Sequence, residues 1–139
     1  MRFVTYSLST GAILFQSETS STAEEVFAIP AGPDRGRVEI PEPLDSIQRW
    51  RVVDGAVVPR AEMALTVSAD TFPADGTSAC VISGLPDPCT VEISGSFTVP
   101  PTPVTGGAIT LTTSQPGVLT IRVTADPHYL SKEITLHAV

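Results

Sequence analysis

The chain opens with two short runs in which apolar and polar positions interleave: residues 2–8 carry Phe3, Val4 and Tyr6, and residues 12–16 carry Ile13, Leu14 and Phe15. Ser9-Thr10-Gly11 lies between them, so the pattern predicts a β-hairpin. After a polar stretch, Ser21 or Thr22 can cap a short helix, with Glu24 or Glu25 as the acid of a capping box and Val26, Phe27 and Ile29 as the apolar side. Pro30 limits that helix to about two turns. A loop at residues 31–36 and a short strand at 37–40 follow, ended by Pro41 and Pro43. Residues 49–53 and 56–59 then flank Asp54-Gly55, a dipeptide suited to the positive φ angles of a type I′ turn, and predict a second hairpin.

From Met63 onward the texture shifts to Thr, Ser, Val and Ile in period-two alternation, with no helical stretch. Strands are predicted at residues 64–69, 78–83, 90–94, 96–99, 108–113, 118–125 and 131–138. Turn residues separate them, among them Pro73 to Gly76, Gly84 to Pro88, the run Pro100-Pro101-Thr102-Pro103, and Asp126-Pro127. Side chains two apart share a face. The inward set is therefore Leu65, Val67, Cys80, Ile82, Val91, Ile93, Ile109, Leu111, Leu119, Ile121, Val123, Ile134 and Leu136, with Thr120, Arg122 and Thr124 facing out. Many short strands punctuated this densely predict an all-β chain: a small N-terminal β-hairpin-rich unit with one short helix at 1–61, then an immunoglobulin-like antiparallel β-sandwich at 63–139.

Composition narrows what such a chain does. Of 139 residues, 42% are hydrophobic and 17% charged, enough apolar content to bury a core and too little charge for a disordered polyelectrolyte. The net charge of −7 opposes attraction to phosphate backbones or anionic lipid, so nucleic acid is not an expected partner. No apolar run is long enough to cross a bilayer, so membrane insertion is not expected either. Thr5, Ser7, Ser9, Thr10 and Gly11 interrupt the opening segment, which therefore lacks the form of a secretory signal. Cys80 and Cys89 lie at the two ends of an expected strand-loop-strand corner. Their spacing admits a disulfide, a reducing cytosol disfavours one, and both states stay open.

Candidate chemistry is sparse. His128 and His137 have no paired His or Cys at metal-ligand spacing, and His128 sits in a turn where solvation accounts for it. Glu24 and Glu25 stand where helix capping explains them. Asp70, Asp75 and Asp87 fall in loops but lack the spacing of a calcium loop. No nucleophile elbow, phosphate loop or dinucleotide fingerprint occurs. Neither a catalytic residue nor a cofactor or metal is expected. The one candidate partner contact is Trp50, flanked by Arg49 and Arg51: an aromatic ring offers large contact area. Alternation nevertheless puts Trp50 on the face opposite both arginines, which favours packing in a small core.

Several segments carry a resemblance. Tyr6 and Thr10-Gly11-Ala12-Ile13 resemble the start of short tail proteins of tailed bacteriophages, and Trp50-Arg51-Val52-Val53-Asp54-Gly55-Ala56-Val57-Val58-Pro59-Arg60-Ala61-Glu62-Met63 is similar to a later segment of those proteins. Leu65 to Val67, Ala74 to Thr77 and Ile82 to Val91 resemble their immunoglobulin-like module. The chain departs from the family pattern at Ala61, where a proline is usual, and at Leu119, where a tyrosine is usual. The resemblance implies a structural virion protein of the tail fibre, tail tip or baseplate, assembled in the bacterial cytoplasm and not an enzyme. It would dock through residues 1–61 onto other tail proteins and display the sandwich, as a homo-oligomer for which a trimer is expected. Two alternatives stay open: a capsid decoration protein, and an adhesion module for a host-surface glycan.

Overall fold

A computed structural model describes all 139 residues, Met1 to Val139. The chain divides into two compact units. Met1–Ala61 forms one together with Asp126–His128, and Glu62–Ala125 forms the other together with Tyr129–Val139.

The first unit runs β1 (Arg2–Ser7), β2 (Ile13–Glu18), α1 (Ala23–Ala28), β3 (Arg35–Ile40), a 3-10 turn (Ile47–Arg49), β4 (Trp50–Val53) and β5 (Ala56–Pro59). Strand β1 is central, paired antiparallel with β2 and β3, while β4 and β5 form a separate hairpin. Pairing of Tyr6 with Ile13, Val4 with Val38 and Arg2 with Ile40 sets one apolar face of the sheet. There Val4, Ile13 and Ile40 join Val52 of β4 in a small buried core. The opposite face takes α1. Thr22 caps this helix, its hydroxyl accepting from the Glu25 N–H while the Glu25 carboxylate accepts from the Thr22 N–H at 2.8 Å. Arg37, projecting from that face of β3, donates to the carbonyls of Val26 and Ile29 and lies 5.8 Å from the Phe3 ring centroid.

Positive φ angles shape two turns of this unit. Asp54 and Gly55 take φ of 49° and 75°, the type I′ geometry the dipeptide predicts. Gly11, at φ +79°, approaches β4 so closely that a Cβ would stand 2.4 Å from the Val52 carbonyl oxygen. The contact is a bond as well, since the Val52 N–H donates to the Gly11 carbonyl at 2.9 Å and Ala12 bridges Arg51.

In the second unit, β6 (Thr66–Val67), β8 (Cys80–Ser83) and β11 (Ala108–Leu111) make a three-stranded sheet in the order β11-β8-β6. The other sheet holds β7 (Thr71–Phe72), β9 (Cys89–Gly95), β10 (Val99–Val104), β12 (Gly117–Thr124) and β13 (Lys132–Ala138), in the order β10-β9-β12-β13-β7. Every pairing is antiparallel except β7 with β13. The chain crosses between sheets from β6 to β7, from β7 to β8, from β8 to β9, from β10 to β11 and from β11 to β12, compatible with an immunoglobulin-like sandwich. Of the predicted inward residues, Cys80, Ile82, Val91, Ile93, Leu119, Ile121, Val123 and Leu136 are buried. Leu65, Val67, Ile109, Leu111 and Ile134 pack against them partly buried, and Met63, Phe72, Leu85, Cys89 and Ala138 complete the core.

Several local expectations need correction: β3 begins at Arg35, inside the expected loop, β8 begins at Cys80 and not at residue 78, and β11 ends at Leu111 and not at residue 113. The strand expected at 96–99 is a turn over its first three residues, and strand β10 instead runs through Pro100, Pro101 and Pro103. Proline has no N–H to give a ladder, but β10 is the last strand of its sheet, and its register slips between Val99 and Thr102 so that Pro100 and Pro101 fall outside the pairing. The strand expected at 64–69 shrinks to Thr66–Val67, because the chain leaves that sheet near Asp70 and re-pairs through Thr71–Phe72 with β13. Arg49 ends the 3-10 turn, so β4 begins one residue later, at Trp50. No helix is long and apolar enough to cross a membrane.

Candidate functional site

Strand β4 sorts the three candidate contact residues. Trp50, half-buried, packs with Val57 and Tyr6 against the small core of the first unit, as period two requires of a residue two positions from Val52. Its indole N–H donates to Asp45 Oδ1 at 2.9 Å, and the exposed Arg49 reaches Oδ2 of the same carboxylate at 3.2 Å. The Trp50 N–H, the Ser46 N–H and Arg49 together hold the Asp45 carboxyl below its usual range. Arg51 turns elsewhere. Its Nη1 lies 2.6 Å from His128 Nδ1, and its Nε is buried without a partner. A guanidinium only donates, so Nδ1 accepts and the proton of a neutral ring belongs on Nε2.

Close by, the Arg60 side chain, 7% exposed, pairs with Asp126 and donates through Nε to the Trp50 carbonyl. The Ala61 N–H donates to the His128 carbonyl at 3.1 Å. Arg49 and Trp50 thus meet at Asp45, while Arg51 joins His128; the two arginines and the ring are not gathered into one platform. His128 is not a free turn residue as its position in sequence suggests, and nothing local in the sequence signals a partner 77 residues away.

Two of the loop carboxylates accept hydrogen bonds from the backbone. Asp75 accepts from the N–H groups of Thr77 and Ser78 and from both their hydroxyls, which drives its carboxyl far below the usual range, the Ser78 hydroxyl most of all. Asp87 accepts from the Gly106 N–H. No three His, Cys, Asp or Glu side chains are grouped to hold a metal ion. Cys80 and Cys89 are free, buried thiols: Cys80 Sγ donates to the Ala69 carbonyl at 3.1 Å, and burial, with Asp87 nearby, pushes the Cys89 thiol up.

A shallow, open cleft of about 360 Å³ that no sequence motif marks lies in the second unit, lined by Gly76, Phe97, Thr112, Thr113, Ser114 and Gln115. Three connections build it: the loop before β8, the turn after β9 and the link from β11 to β12. The Gly76 N–H donates to the Thr113 carbonyl at 2.9 Å, and Thr113 Oγ1 accepts from the Gln115 N–H at 3.0 Å, so two of the loops are tied together. Phe97 packs against the sandwich core, which fixes its ring at the cleft. The only signal in sequence is an aromatic directly after Ser94-Gly95-Ser96, where a turn and not a strand would leave it at the surface. Searches against protein-family models, curated proteins and solved structures each returned no match.

Proposed function

We propose that the chain is a structural component of a tailed-phage virion, of the tail fibre, tail tip or baseplate, which docks through its first unit and displays its second. The carrying observation is the joining of the two N-terminal segments that resemble phage tail proteins. Gly11 and Ala12 of one bond to Val52 and Arg51 of the other, at a glycine that tolerates no side chain. The motif residues therefore do the work of shaping a fold, the role a structural protein asks of them. The docking assignment is supported by exposed apolar surface: Leu8, Leu14, Phe15, Phe27, Ile29 and Val53 of the first unit are all large and exposed. A docking partner would take apolar side chains of this kind out of water.

Antibody against the full chain, applied to intact particles, is expected to label the tail. Capsid labelling would transfer the role to decoration, and absence from washed particles would end the proposal. Phe27→Ser with Ile29→Ser, both exposed, is expected to reduce incorporation at unchanged expression and circular dichroism, whereas undiminished incorporation would remove the first unit as the docking part.

A further inference from the structure

We infer that the cleft formed by Phe97, Thr112, Ser114 and Gln115 is a binding site for a neutral saccharide. The inference stands apart from the virion reading, because it uses only the chemistry of the cleft. A pyranose presents an apolar C–H face and a rim of hydroxyls that both give and accept hydrogen bonds. The cleft offers the complement: one aromatic ring, the hydroxyls of Thr112 and Ser114, and the amide of Gln115. Those three side chains are exposed and make no hydrogen bond to other protein groups, whereas the Thr113 hydroxyl is occupied by the Gln115 backbone. The site is shallow and open, so it would meet a sugar on one face and leave the other in water.

Charge selects within the sugars. No ionisable side chain lines the cleft, and the carboxylate nearest in sequence, Asp75, is saturated by Thr77 and Ser78. The second unit as a whole carries Glu62, Asp70, Asp75, Asp87, Glu92 and Glu133 against only Arg122 and Lys132. An anionic sugar would meet repulsion with no cation to answer it. The same hydrogen bonds that saturate Asp75 and join Gly76 to Thr113 hold the loops in place before any ligand arrives, which lowers the ordering cost of binding.

The test is a backbone-amide NMR titration of the full chain with the methyl glycosides of glucose, galactose, mannose and N-acetylglucosamine at millimolar concentrations, with sialyllactose as the charged comparison. At least one neutral glycoside is expected to give saturable shifts at Gly76, Phe97 and residues 112–115. Ser114→Ala combined with Gln115→Ala, both at exposed positions, is expected to weaken it about tenfold. Phe97→Leu keeps apolar bulk in the core while removing the ring, and is expected to weaken binding at least as much with the spectrum otherwise preserved. Three results would overturn the inference: no saturable shift with any neutral glycoside, shifts that survive the double variant, or a response to sialyllactose alone. None of them bears on where antibody labels a particle, so this site and the virion role fail separately.

Discussion

The two units reach stability by different means. The second buries thirteen residues in one core between two sheets, with Ile82, Leu119, Ile121 and Leu136 entirely sealed from solvent. The first has only Val4, Ile13, Ile40 and Val52 in its sheet core, yet it holds all three ion pairs of the chain and six of its eight cationic residues, Arg2, Arg35, Arg37, Arg49, Arg51 and Arg60. Arg37 closes a helix end, Arg60 supports the β4 backbone, and Asp45 secures the indole. A unit with a small core leans on ion pairs and arginine hydrogen bonds, which the sandwich with its larger core does without. The consequence is a different sensitivity to substitution.

The contrast can be broken experimentally, since Trp50 is the only tryptophan and its fluorescence reports the first unit. Ile121→Ala removes a sealed side chain and is expected to cost the second unit about 2–5 kcal/mol in chemical denaturation followed by circular dichroism. A Trp50 transition that moved by the same amount would mean that the units melt as one, and the comparison would collapse. Gly11→Ala forces a Cβ against the Val52 carbonyl at positive φ and is expected to cost the first unit about 2 kcal/mol or more, displacing the Trp50 transition. Asp126→Asn leaves a buried Arg60 charge without its carboxylate. Because Asp126 itself is 60% exposed, the expected loss is moderate, about 1–3 kcal/mol, and again read by Trp50. Thr22→Ala opens the capping box, with an expected loss of about 1 kcal/mol.

The smallest effect is one of pH. Asp34, Asp45 and Asp75 are all more acidic in the folded chain than the ordinary value of 3.8; for Asp34 the Ser9 and Ser7 hydroxyls are the main cause. The folded form therefore binds fewer protons, and the stabilisation, complete above that value, is lost as the pH falls below it. Asp45→Asn is expected to flatten the acid dependence of the Trp50 transition below about pH 4, and Asp75→Asn that of the second unit. Unchanged acid slopes in both would show that these carboxylates titrate alike folded and unfolded.

Much of this architecture was legible in the chain, and the exceptions share a cause. Leu119, Ile121 and Val123 alternate over a long strand flanked on both sides, so one face must be inward wherever the neighbours come from. Asp54-Gly55 and the Thr22–Glu25 box are equally local, each a short stretch whose chemistry is satisfied within itself. Thr71–Phe72 is too short to show a period, and it is a strand only because β13 lies beside it. The prolines of β10 punctuate like a turn, and only their place at the margin of a sheet makes them strand residues. At the candidate sites, alternation sends Trp50 inward and its neighbouring arginines away. The partners Asp45 and His128, and the meeting of Phe97 with residues 112–115, depend on segments that only folding brings together.

The proline-bearing margin also limits growth. Molecules crowded side by side could extend a sheet indefinitely, each lending amide hydrogens to the next, as fibrils do. With Pro100, Pro101 and Pro103 among its six residues, β10 has half its amide hydrogens missing, so a newcomer finds little to zip onto along that flank. The sandwich can be packed densely and still remain, on that side, a discrete object.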